Sequence, residues 1–221
     1  MKPNSRFRFA KLALFCGALT GLLAITAGSQ EPPPQGAFRF ANACAIAGRT
    51  LVTVDNAKLR PDGFGPGENT GMIGILAGAH RFEATHPTAG KGNLSVTVQP
   101  NSFTTVVVYP KPTVDPLSKK TVQTLQLFAR ADPPREKGKH FQILCVSNRP
   151  SVDISVNGQP VSLAPMRELK ADSFAVHDTL KIEYLGKPVI AFGAEESGSF
   201  LVILFDRPDG TISGVLMPDY G

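Results

Sequence analysis

The sequence predicts an all-β protein in which two tandem antiparallel β-sandwich domains, immunoglobulin-like or jelly-roll-like, follow a signal peptide. Three observations lead to this prediction. The 221 residues include 21 glycines and 19 prolines, which favours turn-rich β structure over helices. Short runs that alternate apolar and polar residues are separated by turn residues, and this arrangement occurs twice along the chain. One larger sandwich or barrel is the alternative interpretation.

The first 29 residues have the pattern of a secretory signal peptide. Residues 2–11 carry basic side chains and no acid, residues 12–27 are uncharged and mostly apolar, and Ala27 and Ser29 are the small residues of a cleavage site. An uncleaved anchor is the alternative, because the apolar run approaches the length that spans a bilayer. We therefore expect an exported protein, periplasmic or extracellular, with no stable membrane span after cleavage.

Most of the net charge belongs to this signal. The full chain has 23 basic and 18 acidic side chains, a net charge of +5, and residues 1–29 contain four of the basic ones and no acid. The rest of the chain is therefore almost neutral, and it has no basic stripe interleaved with aromatic residues. These features argue against a nucleic-acid partner. Residues 30–36, which include three consecutive prolines, predict a short stalk.

Strand signals divide the remaining chain into two modules. In the first, Phe38 and Phe40 alternate with Arg39, and residues 103–109 form a β-branched run. Residues 132–139 are charged and contain two prolines, which cannot donate to a strand ladder. This break predicts a linker at 132–139 between a first domain at 37–131 and a second at 140–221.

Four ordered matches indicate that the second module repeats the first. The string that begins at Phe38 resembles the one at Phe141, and Asp55-Asn56 and Asn157-Gly158 occupy equivalent hairpin turns. Residues 81–83 match 181–183, and residues 102–108 match 199–205. We expect about seven short strands in each module.

The sequence contains no motif that predicts catalysis, a metal or a cofactor. His80 and His86 flank Glu83, but on a strand the two histidines are about 20 Å apart and Glu83 faces the other side. There is no G-x-S-x-G elbow, and the glycines of residues 63–71 are interrupted by Pro66 and lack the lysine of a phosphate loop. We therefore expect a protein that is not an enzyme and has no cofactor.

Candidate binding residues lie in loops, where β-sandwich proteins place their contacts. We expect residues 63–71 to form a flexible exposed loop, and Asn157, His177 and Asp178 occupy turns of the second module. The candidate binding residues are Phe64, Glu68, Asn69, Asn157, His177 and Asp178.

Two other function classes stay open. A carbohydrate-binding module requires Tyr109 or Tyr184 on an exposed concave face, since the chain has no tryptophan. An exported hydrolase or transferase requires a polar pocket at the domain interface that joins His177, Asp178 and a serine.

Two cysteines remain after signal removal, one in the opening strand of each module. Cys44 has the parity of Phe38 and Phe40, and Cys145 has that of Phe141 and Ile143. Each thiol is therefore expected to face its own core, so that both are buried and unbridged. A disulfide between the domains is the alternative, which an exported location allows.

The strings QGAFRFANA, LVTVDNAKL, LAGAHRFEAT and NSFTTVVVY resemble secreted bacterial β-sandwich modules of unassigned function. The P-P-P-x-G-A-F opening, with two such modules in tandem, also resembles the periplasmic accessory protein of alginate O-acetylation. The second module departs from the pattern, since no A-G-x-H string precedes Lys181. The resemblance implies a non-catalytic binding or scaffolding protein, an adaptor in a cell-envelope or exopolysaccharide-modification assembly, whose partner is a protein or a polysaccharide.

Overall fold

The computed structural model describes residues 32–134 and 137–220, so the predicted signal peptide lies outside the described residues. Within these ranges the chain forms sixteen strands and one turn of 3-10 helix, Asp172–Phe174. None of the helical structure in the described residues is long and apolar enough to cross a membrane.

The first sandwich contains eight strands among the described residues. They are β1 (Gln35–Asn42), β2 (Leu51–Val54), β3 (Ala57–Lys58), β4 (Ile73–Leu76), β5 (Gly78–His86), β6 (Gly90–Val98), β7 (Phe103–Val114) and β8 (Thr121–Ala131). One sheet has the order β4-β1-β7-β8 and the other has the order β3-β2-β5-β6. Because β1 begins at Gln35, the last two residues of the predicted stalk belong to the sheet.

The second sandwich repeats this arrangement strand for strand. Its strands are β9 (Lys139–Val146), β10 (Val152–Val156), β11 (Gln159–Leu163), β12 (Glu168–Lys170), β13 (Thr179–Tyr184), β14 (Lys187–Gly193), β15 (Gly198–Asp206) and β16 (Ile212–Tyr220). The sheet orders are β12-β9-β15-β16 and β11-β10-β13-β14. The prediction of tandem all-β sandwiches is therefore confirmed, with eight strands in each sandwich of the described chain and not about seven.

The opening strand of each sandwich has a parallel neighbour. β1 pairs with β7 in parallel, and β9 pairs with β15 in parallel, whereas the remaining ladders are antiparallel. A parallel pair needs a crossover connection, and here the intervening strands of the second sheet supply it. The sheets are thus mixed.

The predicted hairpin turns are confirmed in both sandwiches. Asp55 and Asn56 have φ of 49° and 69°, and Asn157 and Gly158 have φ of 45° and 83°. Positive φ at both central residues is the type I′ geometry that suits the twist of a two-residue hairpin. Asn, Asp and Gly tolerate this conformation better than other residues do.

One predicted match between the modules is out of register by one residue. Phe38 pairs with Thr104, whereas its counterpart Phe141 pairs with Phe200. The residue equivalent to Phe200 is therefore Thr104 and not Phe103. Thr104 of β7 takes the place of Phe200 in β15, and aligning the two S-F strings hides this substitution.

The four sheets stack face to face and enclose three apolar layers. The first core, between the sheets of the first sandwich, contains Phe38, Phe40, Phe64 and Phe82. The second core contains Phe141 and Phe200 with aliphatic residues of β10 and β13. A third cluster joins β1 and β7 of the first sandwich to β9, β15 and β16 of the second. We call this third layer the seam.

The two cysteines lie in different cores, as parity predicts. Cys44 is buried in the first core and Cys145 in the second, and both are unbridged. Burial raises the pKa of Cys44. Burial, together with the nearby Asp206 charge, raises the pKa of Cys145 to about 11. Both thiols are therefore protonated and inert at neutral pH.

Candidate functional site at the seam between the two sandwiches

The fully buried residues of the seam are few in the first sandwich and more numerous and bulkier in the second. The first sandwich contributes Ala41, Ala43 and Val107, and these face bulkier residues of the second sandwich. The larger group is Leu144, Val146, Leu201, Ile203, Phe205, Val215 and Met217. Such complementarity allows close packing and fixes one sandwich relative to the other.

Buried polar groups also cross the seam. Arg39 is 4% exposed, and its Nη1 donates a 3.1 Å hydrogen bond to the Met217 carbonyl of the second sandwich. Its Nε donates to Thr105 Oγ1 at 2.9 Å, and its Nη2 lies 3.2 Å from a carboxylate oxygen of Asp132. A buried guanidinium is tolerated only with such partners, so Arg39 specifies how the two sandwiches meet.

A second arginine links the sandwiches at another point. Arg130 Nη2 donates to Gln142 Oε1 at 2.9 Å, and Arg130 Nε lies 3.0 Å from Glu168 Oε1. Amide groups add two further links, from Asn69 to the Leu216 carbonyl at 3.3 Å and from Asn148 to the Pro110 carbonyl at 2.9 Å. These contacts connect loops of both sandwiches, not only their sheets.

A groove opens where the seam reaches the surface. One cavity of about 540 Å³ is lined by residues of both sandwiches, and a second of about 420 Å³ adjoins it. The two cavities share Ala45, Ala47, Arg207 and Pro208. We call the two together the seam groove. Its other lining residues include Ile46, Thr88, Pro110, Gln123, Asn148 and Ser213.

The seam groove lies where parallel strands end. Residues 45–47 follow β1, Asn148 follows β9, and Arg207 follows β15. Since β9 and β15 are parallel, their following loops emerge at the same end of the sheet. The stacking of the two inner sheets then brings the loop after β1 to the same place.

The larger cavity is lined mainly by apolar atoms, and Asp206, the carboxylate in its lining, already has partners. Asp206 accepts hydrogen bonds from Ser147 Oγ and the Asn148 amide, and it lies 2.9 Å from Arg149 Nε. This carboxylate therefore organises the loop and is not directed towards a ligand. Arg207 is half exposed, and its nearest acid is Asp209 at 3.6 Å. A cavity of this size and polarity is typical of a binding site.

The structure corrects the expectation that residues 63–71 form a flexible exposed loop. Phe64 is 1% exposed and packs against Phe40, with a ring separation of 4.9 Å. Its backbone exchanges hydrogen bonds with Thr50, and the Asn42 side chain donates to the carbonyls of Phe64 and Gly65. Phe64 is therefore a core residue, because the segment returns along β1 and does not project into solvent.

The other two candidates in this loop are held by structural contacts. Glu68 forms ion pairs with Arg49, at 3.0 Å, and with Arg60. The peptide hydrogen bond from Gly65, with the two arginines, lowers the pKa of Glu68. Asn69 is committed to Leu216 across the seam.

The candidates of the second sandwich form turns. Asn157 donates to the carbonyls of Phe174 and Thr179 and accepts from the Lys181 amide. His177 and Asp178 have φ of 47° and 59°, which defines a two-residue turn between Val176 and Thr179. Asp178 pairs with Lys139 at 2.7 Å. The seam-groove lining does not include the six candidate residues.

Both tyrosines of the sugar-binding alternative are partly buried. Tyr109 packs at the seam edge-to-face with Phe128, and burial raises its pKa. Tyr184 packs against the second core, and its hydroxyl accepts a 2.5 Å hydrogen bond from Arg149 Nη1. Each ring thus already has a neighbour, Phe128 for Tyr109 and the Arg149 guanidinium for Tyr184.

A different histidine, acid and serine lie together beside the second sandwich. His140, Asp172 and Ser199 line a small cavity of about 120 Å³, and His140 is opposite Ser199 in the parallel ladder. His140 Nδ1 is 3.3 Å from Asp172 Oδ2, but its Nε2 is 3.2 Å from the Lys137 carbonyl. The nitrogen that would activate the serine is therefore directed elsewhere.

The histidines of the first sandwich occupy separate sites. His80 contacts Asp55 and the Leu76 carbonyl, whereas His86 is buried and accepts hydrogen bonds from two backbone amides. No group of three or more metal-ligating side chains occurs in residues 32–134 and 137–220.

Sequence reasoning missed the seam-groove residues because alanine and proline carry no chemical signature. The available signal was position in the chain. Residues 45–47 follow β1, whose counterpart in the second sandwich is β9, and residues 207–208 follow β15, which pairs with β9. No protein-family model matches the chain, and no curated protein matches it either.

Proposed function

We propose that the chain is an exported, non-catalytic binding protein that holds a protein or polysaccharide of the cell envelope in the seam groove. The groove carries this proposal, because both sandwiches contribute to one cavity and their relative position is fixed by buried contacts. A scaffold needs such a preformed surface, since little conformational entropy is then lost on binding.

The chemistry of the lining supports binding over catalysis. Ala45, Ile46, Ala47 and Pro208 offer shape and apolar area. Asp206 is saturated by its own loop, and a general base must instead reach the substrate with an accessible lone pair. Gln123 and Thr88 can supply hydrogen bonds that orient a ligand.

The shape of the groove favours an extended ligand. The two cavities adjoin and share four lining residues, so a chain-like molecule could occupy both in sequence. An extended polysaccharide or a peptide segment has this form. The resemblance to the alginate O-acetylation accessory protein supports an adaptor role in exopolysaccharide modification.

Capture from an envelope extract tests the proposal with a matched pair of variants. Ala47→Trp fills the groove from an exposed position, and Ala79→Trp adds the same side chain to an exposed position on β5. We expect wild type and Ala79→Trp to retain the same protein or polysaccharide, and Ala47→Trp to retain at least about tenfold less.

Equal retention by both variants, or no retention by wild type, would contradict the proposal. The enzyme alternative is measured in the same extract as release of acetate from acetylated polysaccharide. Release that is lost in Ser199→Ala, with retention unchanged in Ala47→Trp, would favour the hydrolase or transferase.

A further inference from the structure

The β7–β8 hairpin extends well beyond the sandwich. The parallel ladder between β1 and β7 ends at Val108, but β7 and β8 continue to pair as far as Val114 and Thr121. Leu125 and Leu127 are still part of the first core. Nearly all residues from 111 to 124 are exposed. We call residues 111–124 the arm.

The tip of the arm presents apolar side chains in an ordered turn. Leu117 is 92% exposed and Val114 is 60% exposed. The Asp115 carboxylate accepts hydrogen bonds from the Leu117 and Ser118 amides at 3.1 and 3.3 Å, and the Asp115 amide donates to the Lys120 carbonyl. Leu117 is therefore held outwards by the turn, at the tip of the arm.

Basic residues surround this apolar tip. The arm contains Lys111, Lys119 and Lys120, and its one acid is Asp115. That carboxylate is occupied by the turn, with Ser118 Oγ at 2.5 Å. Within the described chain none of the three lysines has a carboxylate at ion-pair distance. The arm thus combines exposed apolar groups with a net charge of +2, from three lysines and Asp115, although the chain after residue 29 is almost neutral.

We propose that the arm docks on an anionic phospholipid surface. Leu117 and Val114 enter the boundary between headgroups and acyl chains, and the lysine ammonium groups contact the lipid phosphates. Lysine suits this position because its long stem lies along apolar surface while the charged end stays in water. Clustered lysines next to an apolar element are attracted to anionic lipids.

The composition of the arm argues against a protein as its partner. Pro110 and Pro112 remove two backbone donors from β7, which disfavours the addition of a strand from another chain. The arm has no aromatic residue and no arginine. These residue types dominate the energy of protein interfaces, where lysine is depleted.

Docking would place the seam groove close to the lipid. Pro110 and Gln123, at the base of the arm, line the groove. A membrane-bound arm would therefore present the groove at the membrane surface, whatever ligand the groove holds.

Sedimentation with lipid vesicles tests the proposal. Vesicles of phosphatidylglycerol and phosphatidylethanolamine are compared with vesicles of phosphatidylcholine, using the chain from residue 30. We expect binding to the anionic vesicles that weakens with added salt, and no binding to phosphatidylcholine. Leu117→Asp should weaken binding by about tenfold, and a Lys119→Glu/Lys120→Glu variant by at least as much.

The control is Leu185→Asp, at another exposed hairpin turn. Leu185 is 79% exposed and lies in the turn between β13 and β14, outside the arm. This variant should bind anionic vesicles as wild type does. Absence of wild-type binding, or an equal loss in Leu185→Asp, would overturn the proposal. The proposal would also be overturned if the protein bound soluble alginate without lipid, and if this binding required the lysines but not Leu117. The arm would then be a site for polyanions.

Discussion

Arg39 of the first sandwich and Met217 of the second are joined by a 3.1 Å hydrogen bond from guanidinium to carbonyl, inside a layer closed to solvent. The same guanidinium lies 3.2 Å from Asp132, whose side chain is 6% exposed. One arginine thus connects the end of the first sandwich with the last strand of the second.

Replacement of Arg39 should destabilise the whole chain. Arg39→Met keeps the apolar stem but leaves the Met217 carbonyl and Asp132 without this donor. Loss of one member of a buried ion pair costs about 3 kcal/mol in the free energy of unfolding. Urea denaturation followed by circular dichroism measures this change.

Arg81 provides the matched control for Arg39. It also pairs with an acid, Glu83, at 2.7 Å, but its side chain is 64% exposed. Because exposed pairs contribute little, Arg81→Met should change the free energy of unfolding by no more than about 0.5 kcal/mol. Similar losses in the two variants would show that Arg39 has no special role in the seam.

The two thiols should be unreactive in the folded protein. Cys44 and Cys145 are both at most 1% exposed, and burial raises the pKa of each. In the chain from residue 30, we expect Ellman's reagent to label neither thiol in buffer and both in denaturant. An unchanged mass after reduction completes the test, and a mass increase would reveal the disulfide that the two separate cores exclude.

His86 should make the fold sensitive to acid. It is 1% exposed, burial lowers its pKa, and Nδ1 accepts two amide hydrogen bonds at 3.1 Å. The unfolded chain then binds a proton more readily, so stability falls as pH drops below the ordinary histidine pKa of about 6.5. Urea midpoints at several pH values should show a smaller decline in His86→Gln, and an unchanged decline would contradict this assignment.

His80 should have the opposite effect. Burial alone lowers its pKa, but the hydrogen bonds to Asp55, at 2.6 Å, and to the Leu76 carbonyl raise it overall. His80 therefore contributes its full share to the free energy of unfolding below about pH 6.5, and this share is lost as pH rises through the raised pKa of His80.

Asp55, the partner of His80, keeps its own contribution to stability down to acidic pH. The Arg81 amide and His80 lower the pKa of Asp55, so its contribution is present above about pH 3.8 and is lost as pH falls through the lowered value. The difference in stability between wild type and His80→Gln should therefore be larger near pH 5 than near pH 9. A difference that grows with pH would contradict this pair.

Local sequence signals predicted the fold class and several of its details. Turn residues fixed the hairpins at Asp55-Asn56 and Asn157-Gly158, because few residues adopt positive φ without strain. Parity placed Cys44, two residues past the end of β1, and Cys145, within β9, in separate cores. Both signals depend only on neighbouring residues.

The seam and its groove could not be predicted in the same way. They depend on which sheet of one sandwich packs against which sheet of the other. Apolar–polar alternation along a strand indicates only that one of its faces is buried. The uninterrupted apolar run from Phe200 to Phe205 carries the missing signal, because a strand buried on both faces needs apolar residues at every position. The prediction that Phe64 is exposed was wrong for a related reason. Its glycine-rich neighbours indicate a loop, but they do not indicate that this loop packs back against the core.

We infer that the two sandwiches unfold as one unit, since the groove exists only while both keep their relative position. The chain has no tryptophan, so single-tryptophan variants report on each sandwich separately. Leu94→Trp and Phe192→Trp introduce reporters at partly buried positions outside the seam. In urea we predict that the two fluorescence transitions coincide in midpoint and slope. Two separate midpoints would contradict the claim.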